Sequence, residues 1–219
     1  MKNKLIVNLT LAFVKLTGIL PALLFFKPKV YFKNKEKQGR RLKAPAILVS
    51  NHMSLMDFVL YLALFPLRTL RFLMAEVLFH KGKAFATFLY ALGGIYVNRD
   101  TYDFGFVSNA LQVLDDGGII GVFPEGRLPV NGRSFPFTSS TAFIALRTDA
   151  PIIPVYTDGN YGLFRRTSVV IGEPIYLQSL VETGDDEATT LKKLTSYLEQ
   201  EVRGLAAYIP SGKEHTNES

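Results

Sequence analysis

A short apolar run, Ala46-Ile47-Leu48-Val49-Ser50, breaks off into Asn51-His52-Met53-Ser54-Leu55-Met56-Asp57. The run has the length and composition of a buried strand. On one continuous helix, residues five apart are rotated by about 500°, roughly 140° around the axis, so His52 and Asp57 would diverge. They meet only where His52 lies in a strand-to-helix turn and Asp57 falls in the first helical turn. There the carboxylate can hold one imidazole nitrogen and leave the other to take a proton from a hydroxyl. The same stretch also fits a helix cap, with Ser54 as N-cap and Asp57 near the positive helix end. A capped turn is a rigid mount for a His–Asp pair, so the two readings are compatible. No serine or cysteine motif beside the pair offers a nucleophile.

Three further blocks follow in order. Gly93-Gly94-Ile95-Tyr96-Val97-Asn98-Arg99 reads as a strand ending in a cation. Gly117-Gly118 precedes the strand Ile119–Phe123, which runs into Pro124-Glu125-Gly126-Arg127, a loop whose glycine permits close backbone approach. Pro151-Ile152-Ile153-Pro154-Val155 is a strand bounded by prolines. Singly, Arg99 and Arg127 read as solvated loop cations and Glu125 as a surface acid.

Together, NHMSLMD, GGIYVNR, FPEGR and PIIPV resemble the motif set of the glycerolipid acyltransferase superfamily, with the bacterial 1-acylglycerol-3-phosphate O-acyltransferases most similar in pattern. The resemblance runs from about Ala46 to Pro174 and includes Ile171-Gly172-Glu173-Pro174-Ile175. It implies acyl transfer from a thioester donor, acyl-CoA or acyl carrier protein, to the free hydroxyl of a lysophospholipid, giving phosphatidic acid from 1-acylglycerol-3-phosphate. His52 is then the general base and Asp57 its orienting carboxylate. Arg99 and Arg127 would hold the acceptor phosphate, Glu125 the glycerol portion, and Gly126 would let the loop come close. The resemblance requires no metal and no bound cofactor. Three departures matter. Arg127 follows Gly126 directly, where the family commonly has Thr and then Arg, so Arg133 is a second candidate for the phosphate. Thr138 follows Pro136-Phe137, where many members carry Lys, and Asn98 stands where Asp is usual. A different lysophospholipid acceptor, or a membrane lipid-binding protein without turnover, is therefore an open alternative.

Charge is unevenly spread. Residues 1–43 hold eleven Lys or Arg and one acid, Glu36, a net of +10 against +6 for the whole chain. A basic arm suits nucleic acid, but Leu5 to Phe26 is largely apolar, and apolar residues flanked by lysines suit an anionic bilayer surface. Lys15, Gly18 and Pro21 argue against a straight span, so the reading is a helix-break-helix lying in one leaflet, Lys15 snorkelling to the headgroups. The expected location is the cytoplasmic face of the cell membrane, monotopic or single-span, with membrane lipids and no nucleic acid as partners. The chain lacks Cys, and His52, His80 and His215 show no metal-ligand spacing.

Beyond the arm, strand and helix alternate, which predicts an α/β fold: a single layered domain, its mostly central sheet flanked by helices, preceded by the N-terminal membrane-associated segment. The expected division is 1–43 anchor, 44–210 catalytic domain and 211–219 polar tail. Predicted strands are 46–50, 70–75, 95–98, 119–123, 152–156 and 168–171; predicted helices are 54–64, 83–92, 103–114, 139–147 and 188–207. Thr101 and Asp103 are candidate caps, and Leu191, Leu194, Leu198 and Val202 form one apolar helix face. Phe85, Phe88, Leu89 and Leu92 fit packing against the sheet, with an acyl-chain tunnel as the alternative.

Overall fold

Short apolar runs separated by helices with apolar faces leave the central strands both faces to cover, and the chain covers both. The computed structural model describes residues 4–98 and 105–210. Its strands are β1 (Lys29–Phe32), β2 (Ala46–Ser50), β3 (Leu70–Ala75), β4 (Ile95–Val97), β5 (Ile119–Val122), β6 (Ile152–Thr157) and β7 (Ser168–Ile171). They form one sheet in the order β1-β7-β6-β2-β5-β3-β4. Neighbours run parallel except β6 and β7. The helices are α1 (Lys4–Phe26), α2 (Asp57–Leu64), α3 (Glu76–Phe79), α4 (Lys83–Ala91), α5 (Gly105–Asp115), α6 (Ser140–Ala145) and α7 (Glu187–Gly204).

Alternation along β2 divides the core. Ala46 and Leu48 join the layer built with α1, α2, α3 and α4, while Ile47 and Val49 join the layer built with α5, α6 and α7. All five residues of β2 are buried, as expected of a central strand covered on both faces. The predicted α7 stripe packs as read: Leu194, Leu198 and Val202 are buried and Leu191 lies against them. Asp186 caps this helix, its carboxylate accepting from the Thr189 amide at 2.9 Å. In α4, Leu89 and adjoining Leu92 are core residues, whereas Phe85 and Phe88 are exposed.

The N-terminal segment differs from expectation in three ways. First, α1 is one helix of 23 residues that passes through Gly18 and Pro21. Packing supplies what local sequence opposes: Ala22 and Phe26 are buried beyond Pro21, and Lys15 is anchored before it. Second, Lys15 turns inward, its Nζ donating to the carbonyls of Pro66, at 3.0 Å, and Arg68 in the turn after α2. It closes the end of α2 instead of snorkelling, and burial lowers its pKa. Third, Lys29–Phe32 adds an edge strand, paired parallel with β7 from Lys29↔Ser168 to Phe32↔Ile171. Among the described residues, no helix is long and apolar enough to cross a membrane. The proposed caps Thr101 and Asp103, and the tail 211–219, lie outside the described residues.

Gly121 in β5 is the tightest point of the sheet. A Cβ there would lie 2.3 Å from the Phe72 ring, a separation at which the ring must move. Gly121→Ala should lower unfolding free energy by about 1–3 kcal/mol, the usual range for overpacking a core. Urea unfolding that matched wild type would show the ring shifts without cost.

Candidate active site

The predicted strand–turn–helix unit brings His52 and Asp57 together. Asn51, buried at the end of β2, clamps the end of β6: its Nδ2 donates to the Thr157 carbonyl at 2.8 Å and its Oδ1 accepts from the Thr157 amide at 2.9 Å. The chain then turns, and Asp57 becomes the first residue of α2. His52 Nδ1 lies 2.8 Å from Asp57 Oδ2. The same Oδ2 accepts from the amides of Met53 at 2.7 Å and Ser54 at 3.0 Å, and Oδ1 accepts from the Tyr161 hydroxyl. Asp57 is 0 % exposed. Four donors and the positive end of α2 surround a carboxylate that burial alone would penalise.

The helix cap reads differently from expectation. Ser54 precedes the helix by three residues and accepts from the Met56 amide at 3.1 Å, and Met56 caps α2 without a side-chain bond. Asp57 folds back onto the turn, because its carboxylate gains charge-assisted bonds there.

An ionised carboxylate only accepts, so Nδ1 carries the proton and Nε2 presents its lone pair. Nε2 has no hydrogen-bond partner among the described residues. The imidazole stacks on Phe123, with centroids 4.3 Å apart and planes at 13°. Phe123 in turn stacks on Phe72 at 5.6 Å. The ring that Gly121 admits therefore supports the imidazole through Phe123.

The loop after β5 lies beside this pair. Glu125 is 3 % exposed; Oε1 accepts weakly from the His52 amide at 3.4 Å and Oε2 has no partner. Burial pushes its carboxyl above the usual carboxylate range, opposed by the His52 amide and the charge of Arg203. Gly126 has φ +66°, a left-handed conformation that favours glycine, and its amide donates to the Phe123 carbonyl at 3.0 Å. Thr138 holds the loop from the far side, donating through its amide at 2.9 Å and hydroxyl at 3.0 Å to the Pro124 carbonyl.

The cations are less gathered. Arg127 is exposed and its guanidinium lies over the Phe135 ring, 4.7 Å from the centroid. Arg133 is exposed at the close of the Asn131-Gly132 turn, both turn residues having positive φ. Neither hydrogen-bonds to His52, Asp57 or Glu125. Arg99 lies outside the described residues. Among the described residues, no cluster of three His, Asp or Glu could hold a metal ion.

Sequence reasoning missed Tyr161 and gave Phe123, Asn51 and Thr138 no part in building the site. Tyr161 is 104 positions from Asp57, and only the return of the chain after β6 joins them. Burial, then the Asp57 charge, hold its phenol well above the ordinary range, so it stays a donor. A signal did exist for Phe123 and Asn51, which flank the Pro124–Arg127 loop and His52, but it did not distinguish a strand end from a site wall.

Because the folded-state pKa of Glu125 is raised, its ionised form weakens the fold at neutral pH. Protonation restores that stability as pH falls through the raised value toward the unfolded one. Glu125→Gln should therefore melt above wild type at pH 8, and the gap should narrow toward pH 5. A gap independent of pH would refute the assignment.

Residues 29–158 match the family model described as Acyltransferase, which takes in the His52–Asp57 turn and the Pro124–Arg127 loop. The chain is 29% identical over 130 residues to human 1-acyl-sn-glycerol-3-phosphate acyltransferase beta, 54% of this chain and 44% of that one. It is 29% identical over 182 residues to the 1-acyl-sn-glycerol-3-phosphate acyltransferase of Cocos nucifera, 77% of this chain and 55% of that one. The chain thus spans about half the length of these curated relatives. Its fold is similar to that of the crystal structure of the 1-acyl-sn-glycerophosphate (LPA) acyltransferase PlsC from Thermotoga maritima, with TM-score 0.62 at 22% identity, covering 98% of this chain and 86% of that one. With the family match extending over more than half of its length, the chain belongs to the acyltransferase family.

Proposed function

We propose that the protein is an O-acyltransferase that moves a fatty acyl group from a thioester to the free hydroxyl of 1-acylglycerol-3-phosphate, giving phosphatidic acid. One observation carries the chemistry: an imidazole fixed by a buried carboxylate, with its second nitrogen unpartnered. Nε2 takes the proton of the acceptor hydroxyl as its oxygen attacks the thioester carbonyl. The tetrahedral intermediate collapses, the C–S bond breaks, and the proton on the imidazolium passes to the leaving thiolate. Asp57 stays ionised throughout, holding the ring and stabilising the imidazolium. The names of the relatives support the acceptor, and the donor is a thioester of CoA or of acyl carrier protein.

Glu125 has an unpartnered oxygen for a glycerol hydroxyl, and Gly126 lets the backbone approach it. The phosphate falls to Arg99 and Arg127, with Arg133 the alternative to Arg127. A guanidinium already stacked on Phe135 loses little freedom on binding two phosphate oxygens. Helix α1 attaches the protein to the cytoplasmic face of the membrane as a monotopic anchor, while β1, within the expected anchor 1–43, belongs to the sheet of the catalytic domain. Supporting this, Leu5, Leu9, Phe13, Leu16, Leu20 and Leu24 are exposed along α1, Leu16 by 84 %. With Lys15 turned inward, that stripe carries no charge, and flanking lysines contribute about 1 kcal/mol each on anionic lipid.

Purified protein given labelled acyl-CoA or acyl carrier protein thioesters and a panel of lysolipids tests this reading. Turnover should be highest on lysophosphatidic acid and fall roughly 10²–10⁴-fold in His52→Ala. Tyr161→Phe removes one of four donors to Asp57 and should cost about tenfold. Higher His52-dependent turnover on another lysolipid would replace the acceptor and keep the mechanism. Folded protein inactive on every pairing would sink the proposal.

A further inference from the structure

The loop 158–167, between β6 and β7, faces two ways. Its inner side packs on the catalytic turn: a Cβ at Gly159, φ +67°, would lie 2.7 Å from Met53 Cβ, and Tyr161 donates to Asp57. At its tip, Leu163 is exposed and Phe164 is 100 % exposed. Arg165 and Arg166 follow, both exposed.

The tip is braced. The Arg165 amide donates to the Gly162 carbonyl at 3.0 Å, and Asn160 Nδ2 donates to the Arg166 carbonyl at 3.3 Å. Lys27, just past α1, donates through Nζ to the Leu163 carbonyl at 2.5 Å. Asp158, the loop's only acid, accepts from the amides of Asn160 and Ser168. Lys27, Lys29, Arg165 and Arg166 form no ion pair among the described residues. Displaying a bare phenylalanine on a held turn exposes apolar surface to water, and here the surroundings are cationic.

We propose that Leu163 and Phe164 enter an anionic lipid surface, with Arg165, Arg166 and Lys27 at the headgroups, as a second contact beyond α1. The inference rests on the membrane attachment proposed above and adds to it. Charge complementarity identifies the occupant: unpaired cations around an apolar pair match a leaflet with anionic headgroups and acyl chains beneath. Continuity supports it too, since Phe26 at the end of α1 meets the Tyr161 ring edge-on at 5.1 Å, two residues after exposed Leu24. A helix and a loop tip together set orientation as well as attachment. They hold Tyr161, Asp57 and His52 close to the lipid surface.

The chain contains no tryptophan, so Phe164→Trp supplies a single fluorescent reporter. On vesicles containing phosphatidylglycerol its emission should shift to the blue, and lipids brominated along the acyl chain should quench it. Leu163→Ser with Phe164→Ser should weaken partition onto these vesicles about tenfold or more. Arg165→Gln with Arg166→Gln should weaken it about tenfold on anionic vesicles and leave neutral ones unchanged. All four side chains are exposed, and thermal melts matching wild type verify the fold. Protein that binds vesicles through α1 while the indole stays unshifted and unquenched would overturn the proposal. So would unchanged partition in both double variants. These readouts need no turnover, so failure of the lipid tip and failure of the acyltransferase reading are distinguishable.

Discussion

A carboxylate without contact to water organises this protein. Asp57 accepts from His52, from the Met53 and Ser54 amides and from Tyr161, so one side chain closes the turn after β2 and fixes the imidazole. It also draws the loop after β6 inward. Burying an unpaired charge would cost several kcal/mol, whereas a fully bonded carboxylate at a helix N-terminus offsets most of that cost. The fold near β2 and the orientation of the candidate base therefore have the same cause.

Sheet order turns this local arrangement into a site. β2 lies between β5 and β6, and all three run the same way. The loops leaving their ends therefore flank one another, as at the carboxyl ends of open α/β sheets generally. One brings Glu125 and Gly126, the other Tyr161. Beneath them Gly121 leaves room for Phe72, and the rings of Phe72, Phe123 and His52 stack in succession. A glycine in the sheet thereby determines where the imidazole plane can lie.

The surface follows a related division. Lys15, the charge that interrupts the apolar N-terminal run, is used to close the end of α2. The outer face of α1 is left apolar, with Leu5, Leu9, Phe13, Leu16, Leu20 and Leu24 exposed along it. What looks in one dimension like a flawed hydrophobic segment is in three dimensions a two-sided helix, one side serving the core.

Much was legible because short-range physics decides it. Short apolar-rich runs of four to six residues place β2, β3 and β7 at their observed limits, and the His–x4–Asp spacing has one geometric solution, which the chain adopts. The family follows from four motifs in order. What the sequence left open depends on residues brought together from a distance. The β1–β7 pairing joins segments 139 positions apart, so no local period announces it. Tyr161 reaches Asp57 only because β6 lies beside β2. The continuity of α1 through Pro21 is decided by Ala22, Phe26 and Lys15, whose burial and bonds outweigh the local preference for a break. By itself the sequence determined six of the seven strands, β2 to β7, and that His52 meets Asp57, because those depend on period and reach along the chain. The donors, stacking rings and exposed tips around that pair were decided by the tertiary structure, because burial and hydrogen-bond satisfaction are properties of neighbours in space.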